Sequence, residues 1–117
     1  MSFEVIDNPD FNKFKSHIGF KNHEFKQLAG LYSRAASTKA LYDMAVDVDF
    51  EEKLCCVTYY QSNTGHPYLQ FLIQQVGPRT IMYELFKDGK GRIAKSELFK
   101  RVYKKLEEEI IQLIEAN

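Results

Sequence analysis

The sequence predicts an α+β domain: N-terminal helices, a three- to four-stranded antiparallel β-meander, and a long amphipathic C-terminal helix packed on the sheet. Three observations carry that expectation. Apolar residues recur at helical spacing toward both ends of the chain. Between them lie three runs rich in β-branched and aromatic residues, separated by turn signals. Asp88-Gly89 then supplies the positive φ that a tight hairpin turn requires.

Taken in order, the first helix signal is Asn8-Pro9-Asp10, an N-cap, a first-position proline and an acidic first turn. Phe11, Phe14 and Ile18 follow at helical spacing, and Gly19 stands where a C-cap glycine belongs. A second helix is expected after Asn22, with Phe25, Leu28, Leu31, Tyr32 and Ala35 on one face. Two endings fit the pattern: a break at Ser37-Thr38, or continuation through Leu41, Met44 and Ala45. On either, the first 46 residues read as helical. Leu54 to Gln61 is the first strand, and Ser62 to Pro67 the loop after it. Tyr68 to Val76 alternates, with Leu69, Phe71 and Ile73 on one side; Gly77-Pro78 ends it. Thr80 to Lys87 is the third strand, and Arg92–Lys95 a short fourth. Ser96 can cap the last helix, whose stripe is Leu98, Phe99, Val102, Tyr103, Leu106, Ile110, Leu113 and Ile114.

That stripe should pack on Leu69, Phe71 and Ile73. The opposite sheet face then carries Tyr60, Tyr68, Leu72, Met82 and Phe86, too apolar to meet bulk water uncovered. Either the N-terminal helices or a second subunit must cover it. These five residues are the candidate partner face.

With 117 residues there is room for one domain and one core, and no linker or repeat divides residues 1–117. Apolar residues are 44% and charged residues 27%, which excludes disordered and fibrous classes. No apolar stretch reaches membrane-spanning length, and residues 1–7 lack a basic, then apolar, secretory pattern. Cys55 and Cys56 are adjacent, so on a strand they point apart and cannot readily pair. A reducing, cytoplasmic setting is expected.

The net charge is zero, yet unevenly spread. Residues 87–105 hold Lys87, Lys90, Arg92, Lys95, Lys100, Arg101, Lys104 and Lys105 against only Asp88 and Glu97. In the last helix these basic groups precede Glu107, Glu108, Glu109 and Glu115, against the helix dipole. The eight form a candidate surface for an anion or nucleic acid. Helix, strands and a basic final helix also invite comparison with double-stranded RNA-binding domains. Ala94-Lys95-Ser96-Glu97-Leu98 stands where their lysine–alanine pattern belongs, so the comparison stops at element order.

No catalytic constellation emerges. Residues 86–97 place Gly91, Ile93 and Glu97 at calcium-loop positions, but Phe86 and Lys90 occupy two of the ligand positions. Asp47, Asp49 and Glu51 alternate as an extended Mg²⁺ site would need, and Glu51-Glu52-Lys53 with Pro9-Asp10 echoes metal-dependent nucleases. Such short patterns arise readily by chance. His17, His23 and His66 have no metal spacing, and a dyad of Cys55 or Cys56 with His66 would need a thiol outside an apolar strand. Tyr59, Tyr60, Tyr68 and Tyr83 suit either a stacking platform or ordinary sheet packing. No metal and no cofactor are expected. The sequence favours a small non-enzymatic module (adaptor, inhibitor or regulatory protein) meeting a protein partner or itself. Nucleic-acid binding through 87–105 and small-molecule binding are the alternatives; no membrane partner is expected.

Overall fold

The computed structural model describes residues 19–116. In order these form α1 (Asn22–Ser37), β1 (Asp43–Asp49), β2 (Leu54–Tyr60), β3 (Pro67–Gln75), β4 (Ile81–Lys87), β5 (Gly91–Ser96) and α2 (Phe99–Ala116). The five strands make one antiparallel sheet in sequence order, β1-β2-β3-β4-β5. The expected helix over Asn8 to Ile18 lies outside the described residues.

The α+β meander stands as expected, with one correction: the sheet has five strands, not three or four. The added strand is β1, in a stretch expected to be helical to residue 46, whether the second helix ran on through Leu41, Met44 and Ala45 or broke at Ser37-Thr38. α1 stops at Ser37 because the chain turns into the left-handed region at Lys39 (φ 63°). The Ala40 N–H donates to Ala35 O at 2.8 Å and the Lys39 N–H to Ala36 O at 3.0 Å, the paired bonds of a Schellman ending. Beyond it Met44, Val46 and Val48 alternate inward against Asp43, Ala45, Asp47 and Asp49, the two-residue period of a half-buried strand.

Both described helices cover the same side of the sheet. Cys55, Val57 and Tyr59 of β2, Leu69, Phe71 and Ile73 of β3, and Tyr83 and Leu85 of β4 are buried there. They pack with Leu28, Leu31 and Ala35 of α1 and with Phe99, Val102, Leu106 and Ile110 of α2 in one core. Tyr59 carries its hydroxyl into that core and donates to Leu28 O at 2.9 Å, which fixes α1 over β2. Phe99 lies 5.5 Å from Phe71 and 5.6 Å from Tyr83, centroid to centroid, and so seats α2 on the predicted strand face. At the start of α2 the Ser96 hydroxyl accepts the Leu98 N–H at 3.0 Å, and the helix begins two residues later than a Ser96 cap would place it.

Hairpin chemistry sets the register. Between β4 and β5, Gly89 adopts φ 80° and the Lys90 N–H donates to Lys87 O at 3.0 Å. A bulge between Leu85 and Phe86 and another between Tyr59 and Tyr60 add local twist.

Candidate functional site

Strand alternation leaves the second side of the sheet uncovered by either described helix. Pairing across the strands arranges its residues in rows. One row is Asp47, Cys56, Leu72, Glu84 and Lys95. On one side of it lie Ala45, Thr58, Gln70, Phe86 and Arg92; on the other, Asp49, Leu54, Gln74 and Met82. The centre is mixed: Leu54, Leu72, Met82, Phe86 and Tyr60 are half-buried, and Thr58 is buried.

Charge is sorted by edge. On β1, Asp43, Asp47 and Asp49 all alternate onto this face and are exposed. On β5 the exposed groups are Arg92 and Lys95, with Glu84 one strand inboard holding Arg92 Nη1 at 3.0 Å. Among the described residues no three His, Cys, Asp or Glu side chains converge to hold a metal ion. Asp47 and Asp49 share a face as the alternation implied, but Glu51 sits in the turn after β1.

The five candidate partner residues do not all share this face. Tyr60, Leu72, Met82 and Phe86 lie on it. Tyr68 is corrected to the helix-covered side, where it packs against the core with Lys87 Nζ 5.9 Å from its ring centroid. The cause is the bulge: Tyr59 pairs with Leu69 but Tyr60 with Pro67, so Tyr68 is the extra residue and the alternation skips. The four tyrosines likewise divide, with Tyr59 and Tyr83 in the core.

The eight basic candidates fall in three places. Lys87, from β4, and Lys105, on α2 itself, both reach Glu109 of α2, at 2.7 Å and 3.5 Å. Arg92 and Lys95 lie on the open sheet face. Lys90 is exposed in the β4–β5 hairpin, and Lys100, Arg101 and Lys104 are exposed along α2.

The two thiols point to opposite sides. Cys55 is buried in the core, and burial, with the neighbouring Cys56, pushes its pKa up to about 12. Cys56 lies on the open face, 3.5 Å from Thr58 Oγ1; burial raises its pKa too. A thiol held protonated is a poor nucleophile. His66 joins neither cysteine, since its Nε2 meets Asp88 Oδ1 at 2.9 Å and clips the β2–β3 loop to the β4–β5 hairpin. No helix among the described residues is long and apolar enough to cross a membrane. No protein-family model matches the chain, and no curated protein or solved structure is significantly similar to it.

The sequence pointed to the apolar half of this face through the alternation of β3 and β4. It missed the acidic edge, because the chain up to residue 46 was read as helical and the alternation of Asp47 and Asp49 was weighed only with Glu51 as a Mg²⁺ pattern.

Proposed function

We propose that the protein is a non-enzymatic interaction module that meets a protein partner through the open face of its sheet. One observation carries this: both described helices lie on one side of a five-stranded sheet, while Leu54, Tyr60, Leu72, Met82 and Phe86 stand on the other. A sheet with one apolar-centred face uncovered by any described helix is stabilised by placing another surface there. The charged rim suits a specific rather than an indiscriminate contact. The protonated thiols and the His66–Asp88 clip offer nothing for nucleophilic chemistry.

Stability of the isolated monomer tests the reading. Leu72→Ala, Met82→Ala and Phe86→Ala should each cost no more than about 1 kcal/mol in urea melts. Phe71→Ala, one position away on the covered side, should cost about 3–5 kcal/mol. If the three open-face variants lost as much as Phe71→Ala, the face would be internal and the reading would fail.

Nucleic-acid binding keeps one supporting observation, the exposed Lys100, Arg101 and Lys104 along α2 with Lys90 nearby in sequence. On that reading, labelled DNA or RNA would bind at ~50 mM salt and release at ~200 mM, and neutralising those residues would abolish the signal.

A further inference from the structure

Resting on the interaction reading, we infer that the partner is a second copy of this chain, and that two sheets stack face to face about a two-fold axis running along the strands.

The argument starts from the separation of charge. Edge strands commonly carry charged residues to discourage pairing with other chains, and for that purpose sign is irrelevant. Here the sign is sorted. The open-face charges of β1 are all acidic, Asp43, Asp47 and Asp49, and the outermost ones of β5 are both basic, Arg92 and Lys95. Blunting an edge does not require that sorting, which makes the face complementary to a second copy of itself.

Two stacked copies can be related by a two-fold axis along the strands or across them. An axis across the strands lays β1 on the partner's β1, acid on acid, and β5 on the partner's β5, base on base. An axis along the strands lays β1 on the partner's β5 at both edges at once. Because that rotation keeps each row over itself, Asp47 comes over the partner's Lys95, which stands in the same row. The inner columns are mixed, with Cys56 over the partner's Glu84 and Thr58 over the partner's Phe86, but apolar groups meet in two places. Leu54 comes over the partner's Met82, and Leu72, at the centre of the middle strand, meets the partner's Leu72 on the axis. Glu84 enters the interface already matched, since Arg92 lies 3.0 Å away and Lys95 is its cross-strand neighbour. Stacked sheets align within about 30°, so these are neighbourhoods rather than atom pairs.

Size sets the strength. Five strands about 4.8 Å apart and seven residues long cover roughly 500 Å². Two copies would bury about 1,000 Å², the small end for a specific interface, so the dimer is weak, reversible and sensitive to salt.

Sedimentation velocity between ~5 and ~200 µM tests it, using the full chain at ~50 mM salt. The wild type should shift toward dimer with concentration, and less so at ~300 mM salt. Asp43→Lys/Asp47→Lys makes both edges basic, and Arg92→Glu/Lys95→Glu makes both acidic. Each should weaken self-association at least tenfold, and an equimolar mixture should recover a heterodimer. Circular dichroism checks folding; should either variant misfold, Asp47→Lys mixed with Lys95→Glu is the smaller pair. A wild type monomeric at ~200 µM, a dimer indifferent to these charges, or a mixture that stays monomeric would overturn the inference. Leu72→Arg then separates the two levels. If it melts like a monomeric wild type, the face is open and awaits a different protein. If it melts far lower, the face is covered from within, and the interaction reading falls too.

Discussion

Lys87 Nζ lies 2.7 Å from Glu109 Oε1, joining the last residue of β4 to the middle of α2. Lys105, one turn before Glu109, approaches its other oxygen at 3.5 Å. The Glu109 side chain is only 8% exposed and that of Lys87 18%, so this is a largely dehydrated pair with two cations around one carboxylate. It gives a structural reason for two of the charges that run against the α2 dipole. Lys105 and Glu109 stand in the less favourable helical order, yet Glu109 is also engaged with Lys87 on the strand beneath.

Glu109→Ala should therefore cost more than a surface pair, about 2–4 kcal/mol, because Lys87 would keep its burial and lose its counter-charge. The pair also predicts a pH dependence. Burial by itself would raise the Glu109 carboxyl, but the hydrogen bond and charge of Lys87, with Lys105, hold it below the ordinary glutamate value of 4.5. A depressed folded pKa means that the stabilisation is complete above about pH 4.5 and is lost as pH falls through the lower folded value. Between about pH 5 and 3 the wild type should lose stability faster than Glu109→Gln. Parallel slopes in urea titrations would show that the carboxylate is not held this way.

A second buried carboxylate anchors the other helix. Glu24 is 4% exposed; its Oε1 accepts the Lys21 N–H at 3.0 Å and its Oε2 accepts the Tyr83 hydroxyl at 2.9 Å. The first contact is half of a capping box, closing the start of α1 where Lys21 offers no side-chain acceptor of its own. The second ties α1 to β4. Tyr83→Phe should cost about 1–3 kcal/mol, since it leaves a buried carboxylate oxygen unpartnered. In a Glu24→Ala background the same change should cost at least about 1 kcal/mol less. Additive losses in that double-mutant cycle would deny the contact any energetic weight.

How much of this was legible depended on whether one period dominated locally. The stripe from Phe99 to Ile114 and the alternation of Leu69, Phe71 and Ile73 are unmixed, and both elements were read correctly. The segment from Lys39 to Asp49 was not, because Leu41, Met44 and Ala45 fit a helical face while Met44, Val46 and Val48 fit a strand. What decides between them is Lys39, a helix ending without the usual glycine. Tyr68 misled for a related reason: a bulge breaks period two and leaves no mark in the sequence. The contacts at Glu109 were invisible because they join β4 to α2 across the fold.

Lys39 also yields a direct test. Its left-handed backbone, φ 63°, costs about 1 kcal/mol in a residue with a Cβ and little in glycine. Glycine gives back part of that through a more flexible unfolded chain. Lys39→Gly should therefore stabilise by about 0.5 kcal/mol in thermal or urea melts, with the Ala40 to Ala35 bond kept. A loss of stability would mean that the lysine side chain contributes more than the strain it imposes.

The cysteines report on the two sides of the sheet independently. Cys55 faces the helices and is 5% exposed; Cys56 faces the open side and is half-buried. Burial raises the pKa of both, so neither should be alkylated quickly by iodoacetamide at about pH 7.5, where an ordinary thiol is about a tenth thiolate. Cys56 should nonetheless react first, because reaching it needs no opening of the core, whereas Cys55 needs α1 and α2 to lift. Mass spectrometry of time points should show one adduct, then a second only near the unfolding transition. Stacking of two sheets adds a further consequence, since it would cover Cys56 and leave Cys55 as it was. Its alkylation rate should then fall as protein concentration rises, and the fall should vanish in Asp43→Lys/Asp47→Lys. If Cys55 reacted as fast as Cys56 under native conditions, the assignment of the two thiols to opposite faces would be wrong.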